Sequence, residues 1–174
     1  MNHRKKRIAL TVLLTGMLSL WLLMQAGVAF SETGVCLHCG MKKSAYGHSW
    51  VVISYGDGSS VGVCSIHCGA IEMALHTNKE VTGITVGDYT SHKQIDAEKA
   101  YWVIGGDKPG VMTIQAKWAF ETEKTANQFI RLHGGRRSDF GAVMRAAFED
   151  MYRDTLMIRK KRKLMRLQDA ENKK

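Results

Sequence analysis

Cys36-Leu37-His38-Cys39-Gly40-Met41 gathers two thiols, an imidazole and a thioether into six residues. For several of these side chains to face one point the chain must turn back sharply, and Gly40 is the residue that lets it. A second pair, Cys64 and Cys68, falls where an expected strand gives way to an expected helix. If the helix has already begun at Cys64, a separation of four puts both sulfurs on one helical face. Any fold for this chain has to accommodate a donor-rich loop and a donor-rich strand-to-helix junction.

The intervening pattern supplies the elements. Residues 49–55 are rich in β-branched and aromatic side chains and read as a strand. Residues 56–60 form a turn cluster and 61–64 the return strand of a hairpin. With Ser65 as its cap, a helix is expected over 66–76, followed by a strand over 81–86. The order then recurs: a strand at 100–104, a turn at 105–110, a strand at 113–120, and a helix at 122–132 stopped by Gly134-Gly135. Setting Cys64-Ser65 on Phe120-Glu121 lays Ala70 over Ala126 and Met73 over Phe129. The expected class is α+β, with two small tandem ββα(β) units at about 36–90 and 95–150 inside a body spanning 32–152. A single α+β domain using the same elements is the alternative. From Phe140 the pattern is helical, with Val143, Ala147, Met151 and Leu156 alongside Met144, Phe148 and Tyr152. That helix is expected to dock and then fray into a basic tail over 153–174.

Charge excludes one class of function. The formal charge of +9 divides into four basic residues at 4–7, nine Lys/Arg against three acids from Arg153 onward, and twelve against thirteen between. The folded middle carries no cationic excess for a nucleic acid to neutralise. The basic tail can instead meet anionic lipid headgroups. The basic start and apolar run over residues 1–31 read as a signal peptide or an uncleaved N-terminal anchor. Either leaves the remainder extracytoplasmic (periplasmic), anchored to the inner membrane in the second case. Cys36 follows Thr33-Gly34-Val35, which is not a lipid-attachment pattern.

Three chemistries compete for the cysteines. Outside the cytoplasm four can form two disulfides. A Cys-x-x-Cys pair also suits thiol–disulfide exchange. Cys-x-x-Cys-Gly resembles one knuckle of a zinc ribbon that Cys64 and Cys68 would complete. Zinc has no use for Met41, whereas thiolate, thioether and imidazole together suit Cu(I). His48 and His67 are the imidazole candidates, while His76, His92 and His133 read as surface or helix-end residues. No nucleophile–base pair, paired-carboxylate or phosphate-loop arrangement marks an enzyme.

Cys39-Gly40-Met41, Cys64-Ser65 opening a helix, Val86-Gly87-Asp88-Tyr89, Ile95-Asp96-Ala97, Ala100-Tyr101-Trp102-Val103, Met112 to Ala119-Phe120, and His133-Gly134-Gly135 together resemble the NosL family. The resemblance covers residues 36–148 and implies two related ββαβ units. It also implies an extracytoplasmic Cu(I)-binding accessory protein for nitrous-oxide reductase maturation. Carried over by residue, Cys39 and Met41 match the Cys-Gly-Met motif and Met112 the methionine ahead of the Ala-Phe pair. The resulting expectation is a non-enzymatic copper carrier with Cys36, Cys39, Met41, Cys64, Cys68, Met112, His48 and His67 as candidate ligands. Its partner would be a metalloenzyme or copper-transport protein. A zinc- or disulfide-stapled interaction protein and a thiol oxidoreductase are the alternatives. Cys68 and the long basic helix depart from the family pattern.

Overall fold

A strand flanked on one side by its hairpin partner and on the other by the strand that follows a helix occurs twice in this chain. The computed structural model describes residues 34–172; the expectation of a signal or anchor over 1–31 lies outside them. In the first unit β1 (Val51–Tyr55) pairs with β2 (Ser60–Val63) and with β3 (Val81–Gly87), and β4 (Gln94–Asp96) extends the sheet in the order β2-β1-β3-β4. In the second, β5 (Tyr101–Ile104) pairs with β6 (Lys117–Phe120) and β7 (Arg136–Ser138), in the order β6-β5-β7. All these pairings are antiparallel. A short helix, α1 (Lys43–Tyr46), and a 3₁₀ turn (Gly47–Ser49) precede β1. Helices α2 (Ile66–Leu75) and α3 (Glu123–His133) make the two crossovers, and α4 (Phe140–Glu171) ends the described chain. The tandem ββαβ arrangement is present. β4, β7 and α1 escape sequence reading because three or four residues hold too little pattern to register.

Residues with the right shape set these elements. Along β1, Val51, Ile53 and Tyr55 are buried and alternate with half-buried neighbours, the signature of a strand with one covered face. Trp50, Ile53, Trp102, Ile104 and Phe120 are fully buried in one continuous core, each contributing about 1.5–3 kcal/mol by burial. At α3, Thr122 accepts from Thr125 N, and Gly134 closes the helix at φ 73°, so both expected signals operate. At Gly87 the sheet meets the 3₁₀ turn so closely that a Cβ would stand 1.9 Å from the Gly47 carbonyl oxygen.

The seam between the units is built on Asp88. Its carboxylate, 3% exposed with the rest of the residue, accepts from Thr90 N, Ser91 N and Ser91 Oγ in the first unit and from Glu121 N in the second. A parallel bridge between Asp88 and Ala119 lies beside it.

Three expectations need correction. The strand expected over 113–120 begins only at Lys117. Upstream, the Val111 carbonyl accepts from Ser65 Oγ at 3.0 Å and Ile114 N donates to Asp154 Oδ1 at 2.9 Å. Side chains from other elements thus take the backbone groups a ladder would need. Ser65 occupies the N-cap of α2 but makes no side-chain cap, because its hydroxyl is engaged by Val111. Finally, α4 does not fray at its basic run; it stays helical for 32 residues. Its core-facing row is Val143, Ala147, Asp150 and Asp154, while Phe148 and Tyr152 are 46% and 74% exposed. Two buried aspartates continue the row where apolar patterning looks for hydrophobes. Asp150 is met by Lys117 Nζ at 2.8 Å, and Asp154 by the Ile114 amide. Among the described residues no helix is long and apolar enough to cross a membrane.

Candidate metal centre

A bridge between Val35 and Lys42 pinches the donor-rich loop at its base. Within it Cys36 N donates to the Met41 carbonyl at 2.8 Å and Gly40 N to the Cys36 carbonyl at 2.9 Å. Gly40 sits at φ 78°, the left-handed conformation that closes the loop at little cost for glycine. This folds Cys36 inward, 1% exposed, and leaves Cys39 half-buried. Opposite, Cys64 directly follows β2 and Cys68 lies in the first turn of α2, both fully buried. Ser49 Oγ holds the Cys64 carbonyl at 2.8 Å.

The four sulfurs converge. Cys39 Sγ is 3.4 Å from Cys64 Sγ, Cys64 Sγ is 3.6 Å from Cys68 Sγ, and all four lie within 4.8 Å of one another. Each is a free thiol. Sulfurs at ~2.3 Å from a tetrahedral ion would stand about 3.8 Å apart, so the set needs only small adjustment to close on one metal. Shared S–H donation polarises the cluster. Cys36 is held well below the ordinary thiol range by donation from Cys39, Cys64 and Cys68. Cys39 settles at about 7, pushed up by Cys36 and pulled down by Cys64 and Cys68. Cys64 and Cys68 are pushed up, first by their interaction with Cys36 and then by Cys39. The cluster therefore offers thiolate at its loop side near neutral pH, and thiolate is the form that binds metal.

A second layer fixes the loop. Glu72, on α2 and 1% exposed, accepts from Tyr55 Oη at 2.9 Å and meets His38 Nε2 at 2.9 Å. His76 Nδ1 lies 2.9 Å from Oε1, the oxygen that also accepts from Tyr55, while His38 meets Oε2. Tyr55 is pushed up to about 12, by burial and then by Glu72, so its hydroxyl remains a donor. His38, inside the loop, is thereby an anchor rather than a donor to the sulfurs.

Cys39 also lines a groove of about 820 Å³ together with Met41, His48 and Met112 and with Met157 and Met165 of α4. Met112 stands at φ 60°, a conformation that costs a non-glycine residue about 1–3 kcal/mol and persists only where the surroundings impose it. Burial, with His92 adding to it, holds His48 below its ordinary value, which keeps the ring neutral and able to ligate. The structure thus groups seven of the eight candidate side chains in two adjoining places: four thiols together, and Met41, Met112 and His48 in the groove with Cys39. His67 is elsewhere. It is buried between α2 and α4 with Nδ1 3.2 Å from Asp154 Oδ2, though without hydrogen-bond alignment. Glu72 was not legible from sequence as part of the site, nor Met157 and Met165 as part of the groove beside it. The two methionines are eight apart, hence on one helical face, but nothing in the sequence aims that face at Cys39.

The NosL family model matches residues 27–148. The chain belongs to the NosL family. Among solved structures, the copper chaperone NosL from Shewanella denitrificans is similar in fold, with a TM-score of 0.53 and 22% identity over 65% of this chain and 91% of that one. No curated protein matches the sequence. The matched NosL region takes in both cysteine pairs, Met41 and Met112 and stops short of the part of α4 that walls the groove.

Proposed function

We propose that this NosL-family protein carries Cu(I) outside the cytoplasm and gives it up to a metalloenzyme or copper-transport partner by ligand exchange. The observation that carries the reading is the convergence of four free thiols on one point, with Cys39 at its edge opening onto a groove holding Met41 and Met112. Soft donors of this kind select Cu(I) over the harder ions. A half-buried edge ligand lets an incoming donor attack without unfolding the site. The copper chaperone among similar folds supports the cargo, and membership of the family supports a carrier rather than an enzyme. Glu72 and His38 hold the loop in place, so thiols and thioethers meet the ion already arranged, and no step requires electron transfer.

A structural zinc site is the second reading, favoured by one observation: four sulfurs with three buried is the donor count of a closed tetrahedral centre. Anaerobic Cu(I) titration against a chromophoric chelator, on protein first freed of zinc, separates the two. The carrier reading expects Cu(I) to bind more tightly in the native chain than in the Cys39→Ser, Met41→Leu variant. Equal affinities, or zinc that purifies with the protein and resists displacement by Cu(I), would reject it.

A further inference from the structure

We infer that α4, in the part beyond the family match, makes the groove a thioether relay, with Met157 and Met165 passing Cu(I) between Cys39 and the outer end of the groove. The inference rests on the Cu(I)-carrier reading above and adds residues to it. Helix α4 runs to Glu171, whereas the family match ends at residue 148. Met157 and Met165 both line the groove that Cys39, Met41 and Met112 also line. Eight residues of helix separate the two methionines by about 12 Å. They are therefore successive stations along the helix. Met157 is half-buried and Met165 is 47% exposed, so the path runs outward along the helix.

The wall is held in register with the cysteines. Asp154, one turn before Ile158, accepts from Ile114 N at 2.9 Å, and Ser65, between Cys64 and the start of α2, donates to the Val111 carbonyl at 3.0 Å. Those two bonds bracket Met112, tying the loop that carries it to both α4 and the cysteine junction. Lys161 and Arg162 also line the groove. Positive charge and uncharged thioethers together make poor storage for a cation, which suits transit more than residence. On leaving the cluster a Cu–thioether bond to Met157 forms as the Cu–Cys39 thiolate bond breaks, and along the helix one Cu–thioether bond forms as another breaks. Copper stays Cu(I), the thioether has no proton to lose, and the freed thiolate remains in the cluster or takes a proton from water.

The test uses the protein labelled with ¹³C at the methionine methyls and titrated anaerobically with Cu(I), while thiolate-to-copper absorption reports loading of the cluster. The Met157 and Met165 methyl signals, identified from Met157→Leu and Met165→Leu, are expected to move as Cu(I) exceeds what the cluster holds, while buried Met144 stays still. The double variant should keep its affinity for the first ion within twofold. It should release that ion to a chromophoric chelator about fivefold more slowly, about 1 kcal/mol of added barrier. A cluster that loads while both methyl signals stay fixed, or a double variant that releases copper at the native rate, overturns the relay and leaves the carrier reading standing. A cluster that takes up no Cu(I) with all four thiols titratable overturns both.

Discussion

Replacing Glu72 by alanine isolates what the second layer does for the metal centre. The side chain is almost fully buried and, among the described residues, is the acceptor for Tyr55 Oη, at 2.9 Å, while also holding His38 Nε2 at 2.9 Å. Alanine leaves the Tyr55 hydroxyl without a partner, a loss of about 1–3 kcal/mol. At about 2–4 °C per kcal/mol for a chain this size, the melting midpoint should fall by roughly 2–12 °C. The loop effect is separate: with His38 released, the Cys36–Met41 turn loses its tether to the helix that carries Cys68. Outer partners of metal ligands typically contribute about 10–100-fold in affinity, and a loss in that range is expected in Cu(I) competition at a temperature where the variant is fully folded. Glu72→Gln keeps an acceptor for Tyr55 and should recover most of the stability. A Glu72→Ala variant that melts lower yet binds Cu(I) as tightly as the native chain would refute the claim that Glu72 positions the loop.

Other perturbations test other parts of the argument. Metal affinity should rise with pH from 6 to 8, because binding must displace thiol protons, from Cys39 at about 7 and from Cys64 and Cys68 above the ordinary range; a flat competition profile across that range would contradict it. Lys117→Ala strands Asp150 with only the exposed Arg153 and should cost about 3 kcal/mol in urea unfolding, whereas Lys117→Met with Asp150→Leu should cost clearly less. Asp150 is held below its usual value, burial opposing and Lys117 with Arg153 outweighing it. Its contribution is therefore present above the unfolded carboxylate range near pH ~4 and lost as pH falls through the folded value, and acid unfolding of the paired double variant should lack that component. Gly87→Ala drives a Cβ into the Gly47 carbonyl and should destabilise by about 1–3 kcal/mol or more, visible as a lower urea midpoint.

What sequence could show here followed from periodicity and short-range spacing. Thr122, Gly134 and the alternation of Val51, Ile53 and Tyr55 act locally, and local physics made them legible. The cysteine loop was legible for the same reason: Gly40 and the two thiols around it are within one turn of chain. Interactions between distant segments were hidden. Ser65 reads as an N-cap, and only the packed structure shows its hydroxyl 3.0 Å from the Val111 carbonyl. Asp150 and Asp154 lie outside any apolar pattern along α4, and their partners, Lys117 and the Ile114 amide, come from other elements. His67 was attractive as a ligand because it adjoins Cys68, yet neighbours in a helix point to different sides, and its side takes it to Asp154. The family was legible too, from the order of short motifs rather than from periodicity, and the NosL family model bears it out over residues 27–148.

The carboxylate at the seam has a consequence for how the molecule can be divided. Asp88 is contributed by one half and takes backbone amides from both, so neither half has a finished surface of its own. A fragment ending before β6 would leave that acidic group facing solvent beside an edge prepared for Ala119. A fragment beginning after Asp88 would leave the Glu121 amide with no acceptor. The two similar halves are therefore not interchangeable modules. The smallest piece of this chain that can fold with its polar groups satisfied contains both, although the sulfur cluster itself is drawn from only one.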